Sequence, residues 1–319
     1  GTTGSPKGAV LPRRAFVASA WASRARLAEA HPSDAQEHVD RWLLSLTPAH
    51  IGGLSIIVRM LVTRGTVVLA ATPEFDARAF GDLLQELGVT HVSLVPTMLS
   101  RLLDAGFRSP PTLRHVLLGG AAVPPALLAR ARSLGVPVRA TYGMTEACSQ
   151  VTTQAHDDEP GCGRPLEGLE VRVSEGVLEV RGAALFSGYL GQREHLDEQG
   201  WFRTGDLGRV DEHGFVHVEG RRHDLIVSGG ENVYPAEVEA RLQEHGDIEE
   251  AAVFGVYDET WGQRVVAACV LTSKRSDPTG EPETDALARM RDVDAALATA
   301  LSRFKLPKEY WVADALPRT

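Results

Sequence analysis

Lysine is scarce in this sequence: of 33 basic residues only Lys7, Lys274, Lys305 and Lys308 are lysines. Any step that needs a primary amine therefore has few candidates. Positive charge is short overall. The net charge of −9 argues against nucleic-acid binding, because such proteins carry a basic surface. Cysteine is nearly absent: Cys148, Cys162 and Cys269 are odd in number, widely spaced and free of any C-x-x-C pair. That argues against a disulfide framework and points to reduced structural thiols in a cytoplasmic protein. No apolar run reaches the length of a membrane span. No G-x-S-x-G elbow occurs, which argues against a serine hydrolase of the α/β type. His213 and His217 are four apart but fall on an expected hairpin, where that spacing does not suit a shared metal. An initiator Met is lacking too. The chain opens at Gly1, inside a motif, and is expected to be a fragment whose targeting is not legible.

What is present is ordinary for a globular chain, with 43% hydrophobic and 24% charged residues. A length of 319 residues accommodates one large and one small domain, each with its own core. From about residue 66, strand and helix signals alternate. Thr66–Ala70 reads as a strand, Asp76 caps a helix that stops at Gly88, and His91–Val95 is the next strand. Pro96 starts a helix, Val116–Leu118 is a strand, Pro124 and Pro125 open another helix, and Val138–Thr141 is a further strand. This alternation predicts a parallel sheet covered by helices. After about residue 165 the period becomes two, with hairpin turns expected at Ser174–Gly176 and Asp211–Gly214. Past Gly220 the pattern is that of a small α+β domain: a helix over Pro235–Glu244, strands over Ala251–Val256 and Val265–Leu271, a polar loop over Ser273–Glu283 and a long helix over Thr284–Phe304. The expected fold class is thus α/β: a parallel, helix-covered sheet, an antiparallel β-barrel-like part, and a small α+β domain.

Four segments carry residues suited to chemistry. Gly1-Thr2-Thr3-Gly4-Ser5-Pro6-Lys7-Gly8 combines glycines, hydroxyls and a Lys. Backbone N–H groups can crowd around an anion there, and polyphosphate is the natural guest. The spacing is not that of a Walker A loop, and a flexible chain end is the plain alternative. Thr141-Tyr142-Gly143-Met144-Thr145-Glu146 follows a predicted parallel strand, at the end where open α/β sheets bind ligands. A carboxylate beside phosphates can hold Mg²⁺; a surface turn is the alternative. In Gly200–Gly208, Asp206 could accept two hydrogen bonds from a ribose diol, or simply close a β-turn. Gly220–Pro235 places charged residues before a strand and a Gly-Gly turn, which suits either a hinge or a linker.

Together and in this order, the four segments resemble the adenylate-forming superfamily of acyl- and aryl-CoA ligases, luciferases and peptide-synthetase adenylation domains. Further stretches resemble its o-succinylbenzoate–CoA ligase branch, which serves menaquinone biosynthesis: His50-Ile51-Gly52-Gly53-Leu54-Ser55 with Arg59, His91–Thr97, Leu117–Ala121, Met144–Gln150 and Asp258–Gln263. The resemblance implies an ATP-dependent acid–thiol ligase that forms an acyl-adenylate and then a CoA thioester. It implies ATP, Mg²⁺ and coenzyme A as partners beside an aromatic carboxylic acid, and leaves open a second copy of the chain. By the same resemblance Thr2, Thr3, Gly4, Ser5 and Lys7 hold phosphates, Thr145 contacts the α-phosphate, and Glu146 binds the metal. Gly119, Gly120, Ala121 and Tyr142 frame adenine, and Asp206 with Arg221 takes the ribose. His50, Arg59 and Ser149 serve the acid, with His50 also placed between the acyl and CoA sites. Ser228, Gly229 and Gly230 line the CoA path. His223 is the pivot of a mobile lid, where relatives more often carry Asp or Lys.

Residues 1–220 correspond to part of an AMP-binding domain without its first subdomain, and 221–319 to the lid. The family's catalytic Lys lies shortly after a Leu-Pro-Arg-Thr segment, which here is the final Leu316–Thr319. This polypeptide is therefore expected to adenylate poorly. Alternatives are another aryl- or acyl-CoA ligase of the superfamily, a carrier-loading adenylation domain, or a non-catalytic nucleotide-binding fragment.

Overall fold

A computed structural model describes residues 7–30, 39–70, 75–191, 195–222, 224–272 and 282–317. The backbone divides into two units. Of the described residues, the first holds those up to Thr204 together with Gly208–Val218; the second holds Gly205–Leu207 and those from Glu219 onward.

In the first unit, helix α1 (Arg13–Ala30) precedes β1 (Arg41–Leu43), α2 (Ile51–Thr63), β2 (Thr66–Val68), α3 (Ala77–Glu86), β3 (His91–Leu94), α4 (Pro96–Asp104), β4 (His115–Leu118), α5 (Pro125–Ser133) and β5 (Val138–Met144). A 3-10 turn over Thr145–Ala147 leads into β6 (Ser149–Thr153) and then β7 (Arg164–Pro165). The seven strands lie in the order β2-β1-β3-β4-β5-β6-β7. The first five run parallel, and β6 and β7 are antiparallel additions. The expected parallel sheet is present. Its strand order reverses between β1 and β3, which makes that junction a topological switch point.

Local chemistry explains the helix starts. The Asp76 side chain accepts a hydrogen bond from the Ala79 N–H at 2.8 Å, capping α3 as expected. Pro96 and Pro125 occupy the first helical turns of α4 and α5, where a missing N–H costs nothing. Alternation along the strands sends residues to two cores. Leu43, Val92, Leu94, Val116 and Leu118 pack on the helices that carry Phe80, Leu84, Leu99 and Leu102. Trp42 and Leu117 point the other way, to Leu27 of α1 and Ile56 and Met60 of α2. Helix α1 lies ahead of the stretch where alternation was read. Much of its buried face is small, with Ala15, Ala20 and Ala22 beside Leu27, so it shows little apolar periodicity.

The period-two region forms β8 (Leu169–Ser174), β9 (Val177–Gly182), β10 (Phe202–Val210) and β11 (Val216–Arg221), in the sheet order β11-β10-β9-β8. Strands β8 and β9 pair antiparallel around Glu175-Gly176, both at positive φ, the conformation that a two-residue hairpin turn needs. The expected Asp211 turn is present: Asp211 Oδ1 accepts from the His213 and Phe215 amides.

The second unit contains β12 (Ile226–Ser228), β13 (Glu231–Val233), α6 (Pro235–Gln243), β14 (Ile248–Asp258), β15 (Gly262–Leu271), α7 (Pro282–Ala300) and β16 (Glu309–Val312). Its core unites Val238 and Leu242 of α6, Val253, Val265 and Ala267 of the sheet, and Met290, Val293 and Leu297 of α7. The long helix begins at Pro282 and ends at Ala300, four residues before the expected end. The polar loop over Ser273–Glu283 falls mostly outside the described residues. Strand β16 was not anticipated; it pairs parallel with β15. Among the described residues no helix is long and apolar enough to cross a membrane.

Candidate functional site

The first unit builds its site beyond the carboxyl ends of the parallel strands. Strand β5 ends at Met144, the chain makes one 3-10 turn, and it returns antiparallel as β6. The reversal is tight. A Cβ on Gly143 would sit 1.7 Å from the Ser149 carbonyl oxygen, so no side chain fits there. Cys148 and Ser149 both adopt positive φ, 52° and 100°, which costs on the order of 1–3 kcal/mol each. The Ser19 hydroxyl donates to the Cys148 carbonyl at 3.1 Å and braces the bend. The turn leaves Thr145 exposed and Glu146 half-buried.

A second strip locks this turn to the end of the glycine-rich segment. The Phe186 N–H donates to the Glu146 carbonyl at 2.8 Å. One step on, Ser187 N–H donates to Val10 O, Val10 N–H to Gly188 O, and Leu190 N–H to Gly8 O, all at 2.7–2.9 Å. Tyr189 then reaches both motifs with its side chain. Its hydroxyl donates to Glu146 Oε1 at 2.5 Å, and Lys7 Nζ lies 5.4 Å from its ring centroid. Lys7 and Glu146 are therefore brought to one place. Thr2, Thr3, Gly4 and Ser5 lie outside the described residues.

Gly119, Gly120 and Ala121 follow β4. Gly119 approaches β5 closely, with a virtual Cβ 2.8 Å from the Thr141 carbonyl oxygen. This segment thus runs beside Thr141 and Tyr142. Tyr142 is buried and packs with Ala147, Val151 and Leu178. Ser149 pairs with Met144 across the β5–β6 ladder. His50 is exposed at the N-terminus of α2, in the connection leaving β1 at the switch point.

Arg59 lies elsewhere on α2 and is no surface residue: it is 3% exposed. Its guanidinium stacks on Trp42 at 5.1 Å, Trp42 stacks on His91, and His91 meets His115. Its Nε and Nη2 have no hydrogen-bond partner among the described residues. Burial pushes its pKa down to about 9. Arg59 faces a cavity of about 100 Å³ lined also by Ser23, Thr63, Arg114 and His115. His91 and His115 begin their strands, so this cavity lies toward the amino ends of the sheet. No contact joins Arg59 to Glu146 or Lys7 among the described residues.

In the second unit, Asp206 is 3% exposed and Arg221 Nε meets its Oδ1 at 2.8 Å. The two residues that the resemblance assigns to the ribose are thus in contact with each other. Asp206 sits inside strand β10 rather than in a turn. Ser228 and Glu231 pair across β12–β13, and Gly229 and Gly230 at positive φ make the two-residue turn between them. Gly229 N–H donates to Trp261 O at 2.8 Å, and a Cβ there would meet the indole at 2.8 Å. His223 lies outside the described residues.

The arrangement suits magnesium in one respect. Among the described residues no three His, Cys, Asp or Glu side chains converge, but Glu146 offers a hard oxygen donor beside a cation that suits phosphates. Mg²⁺ is commonly bound through one or two carboxylates plus substrate phosphates while keeping waters, so a single carboxylate is a fitting donor. The three thiols take no part: burial raises Cys148, Cys162 and Cys269 to about 11, which keeps them protonated.

A parallel sheet with tight turns beyond its carboxyl ends, followed by a small α+β unit, is an arrangement in which open α/β sheets bind ligands. The chain belongs to the AMP-binding enzyme family, whose model matches residues 1–190, with the model of the family's C-terminal domain matching residues 237–319. It is 37% identical to the 2-succinylbenzoate–CoA ligase of Bacillus pumilus (strain SAFR-032), across all of this chain and 64% of that protein. It therefore spans a little under two thirds of that relative's length. Among solved structures it resembles the o-succinylbenzoate CoA synthetase (MenE) of Bacillus subtilis in complex with the acyl-adenylate intermediate OSB-AMP, with a TM-score of 0.87 and 34% identity over 100% of this chain and 65% of that one. The same enzyme in complex with ATP and magnesium ion matches with a TM-score of 0.83, at 34% identity over 100% and 66%.

Tyr189 is the residue that sequence reasoning missed. Its Gly188-Tyr189-Leu190 setting carries no local signal, and both of its partners are remote in sequence.

Proposed function

We propose that this chain is the nucleotide- and CoA-handling part of a ligase that activates o-succinylbenzoate, first as an acyl-adenylate and then as a CoA thioester. The reading rests on the Lys7–Tyr189–Glu146 assembly beyond the parallel strands, in a chain resembling 2-succinylbenzoate–CoA ligases along its whole length. Lys7, with Thr2, Thr3, Gly4 and Ser5, binds the β- and γ-phosphates of ATP. Thr145 donates to the α-phosphate, and Glu146 holds Mg²⁺, which when bound neutralises charge on the phosphate oxygens. Gly119, Gly120, Ala121 and Tyr142 frame the adenine, and Asp206 supported by Arg221 accepts the ribose hydroxyls. Charge grows on phosphate oxygens as the carboxylate attacks, so donors fixed there lower the barrier.

Arg59 takes the second carboxylate of the acid, because a guanidinium pairs bidentately with carboxylate. Its buried Nε and Nη2, without a hydrogen-bond partner among the described residues, support that assignment, while its cavity toward the amino ends of the sheet, away from Glu146, counts against it. His50, at the switch point, stands between acyl and CoA sites, with Ser149 beside the acid. Residues 1–220 form the adenylating domain and 221–319 its lid. The lid pivots at His223, and Ser228, Gly229 and Gly230 line the pantetheine path. A panel of carboxylic acids incubated with ATP, CoA and the full-length protein tests the reading. Thioester should form with o-succinylbenzoate and not with benzoate; equal turnover of both overturns the substrate assignment.

A further inference from the structure

We propose that Tyr189 is a positioning residue for the divalent cation: its hydroxyl occupies one oxygen of Glu146 and turns the other toward the metal, while its ring seats Lys7. The inference rests on the nucleotide-site reading above. The geometry singles out this residue. Its hydroxyl lies 2.5 Å from Glu146 Oε1 and Lys7 Nζ is 5.4 Å from its ring centroid, so one side chain meets both Lys7 and Glu146. The ring itself is held. Phe186 meets it edge-on at 5.0 Å and His195 at 4.6 Å. Its backbone forms an isolated antiparallel bridge with Ala9, in the strip tied to Gly8, Val10 and the Glu146 carbonyl.

A lone carboxylate on a short turn can rotate about its side-chain bonds. A hydrogen bond to a rigid phenol removes that freedom and leaves Oε2 as the oxygen for a hard cation. Partners of this kind commonly change metal affinity by about 10–100-fold when removed. The ring supplies a separate effect: an aromatic face attracts an ammonium within about 6 Å and keeps Lys7 near the metal-bearing carboxylate.

The test uses Mn²⁺ as probe with a non-hydrolysable ATP analogue, and reads bound Mn²⁺ by paramagnetic resonance. Tyr189→Phe keeps the ring and removes only the hydroxyl. It should weaken Mn²⁺ binding in the analogue complex about tenfold or more, while metal-free binding of the analogue and the melting temperature stay within error. Unchanged Mn²⁺ affinity overturns the proposal. Combining Tyr189→Phe with Glu146→Gln provides the second arm. The hydroxyl acts through Glu146, so the double variant should bind Mn²⁺ no worse than Glu146→Gln alone, and a further loss overturns it. Failure of the unaltered protein to bind Mn²⁺ with the analogue counts against the nucleotide-site reading, and the proposal falls with it.

Discussion

Arg59 carries an unusual burden for one residue. A guanidinium beneath 3% exposure, with Nε and Nη2 lacking a hydrogen-bond partner among the described residues and the Trp42 ring as its main contact, is a poorly compensated buried charge, and its pKa falls to about 9 because burial disfavours the charged form. Arg59→Met should therefore stabilise the fold at pH 7, on the order of 1–3 kcal/mol, as measured by urea denaturation. The folded protein binds fewer protons than the unfolded chain between about 9 and the ordinary guanidinium range. Stability of the unsubstituted protein should rise with pH through that window, and its deficit against Arg59→Met should shrink there. The same substitution should raise KM for an acid with a second carboxylate by about tenfold or more. Loss of stability at neutral pH would mean that Arg59 has an anionic partner at rest.

At the scale of elements, sequence chemistry was legible wherever it acted locally. The cap at Asp76, the prolines opening α4 and α5 and the Glu175-Gly176 hairpin follow from residue types within a few positions. Asp76→Ala should cost about 1 kcal/mol, read as a lower midpoint in urea with an unchanged slope. The glycine-rich and Thr-Glu motifs offered residues suited to phosphate and metal, but a chain end and a surface turn stayed open as alternatives until the order of the motifs brought in the family resemblance. Other features were not legible because they depend on contacts remote in sequence. Helix α1 buries alanines, so its period is faint. Asp206 looked like a turn residue because glycine precedes it, whereas the strand continues through it. Tyr189 meets Lys7 and Glu146 only after the chain has folded back on itself, since both partners are remote in sequence.

For the whole molecule, ligand and fold are coupled through the site. A nucleotide that binds only the native state raises stability by about 2.7 kcal/mol at a hundredfold excess over Kd. Mg·ATP should accordingly raise the melting temperature in calorimetry, and EDTA should remove most of the gain. An equal shift by ATP with EDTA present would show that Glu146 contributes no metal site. The clasp between Gly8–Val10 and Ser187–Leu190 also bears on how this protein can change over time. Strand side chains alternate faces, so inserting or deleting a single residue between Phe186 and Tyr189 would swing the phenol away from Glu146 while leaving both motifs intact in the text of the gene. The length of that clasp, more than the side chains along it, is what keeps the phenol against Glu146.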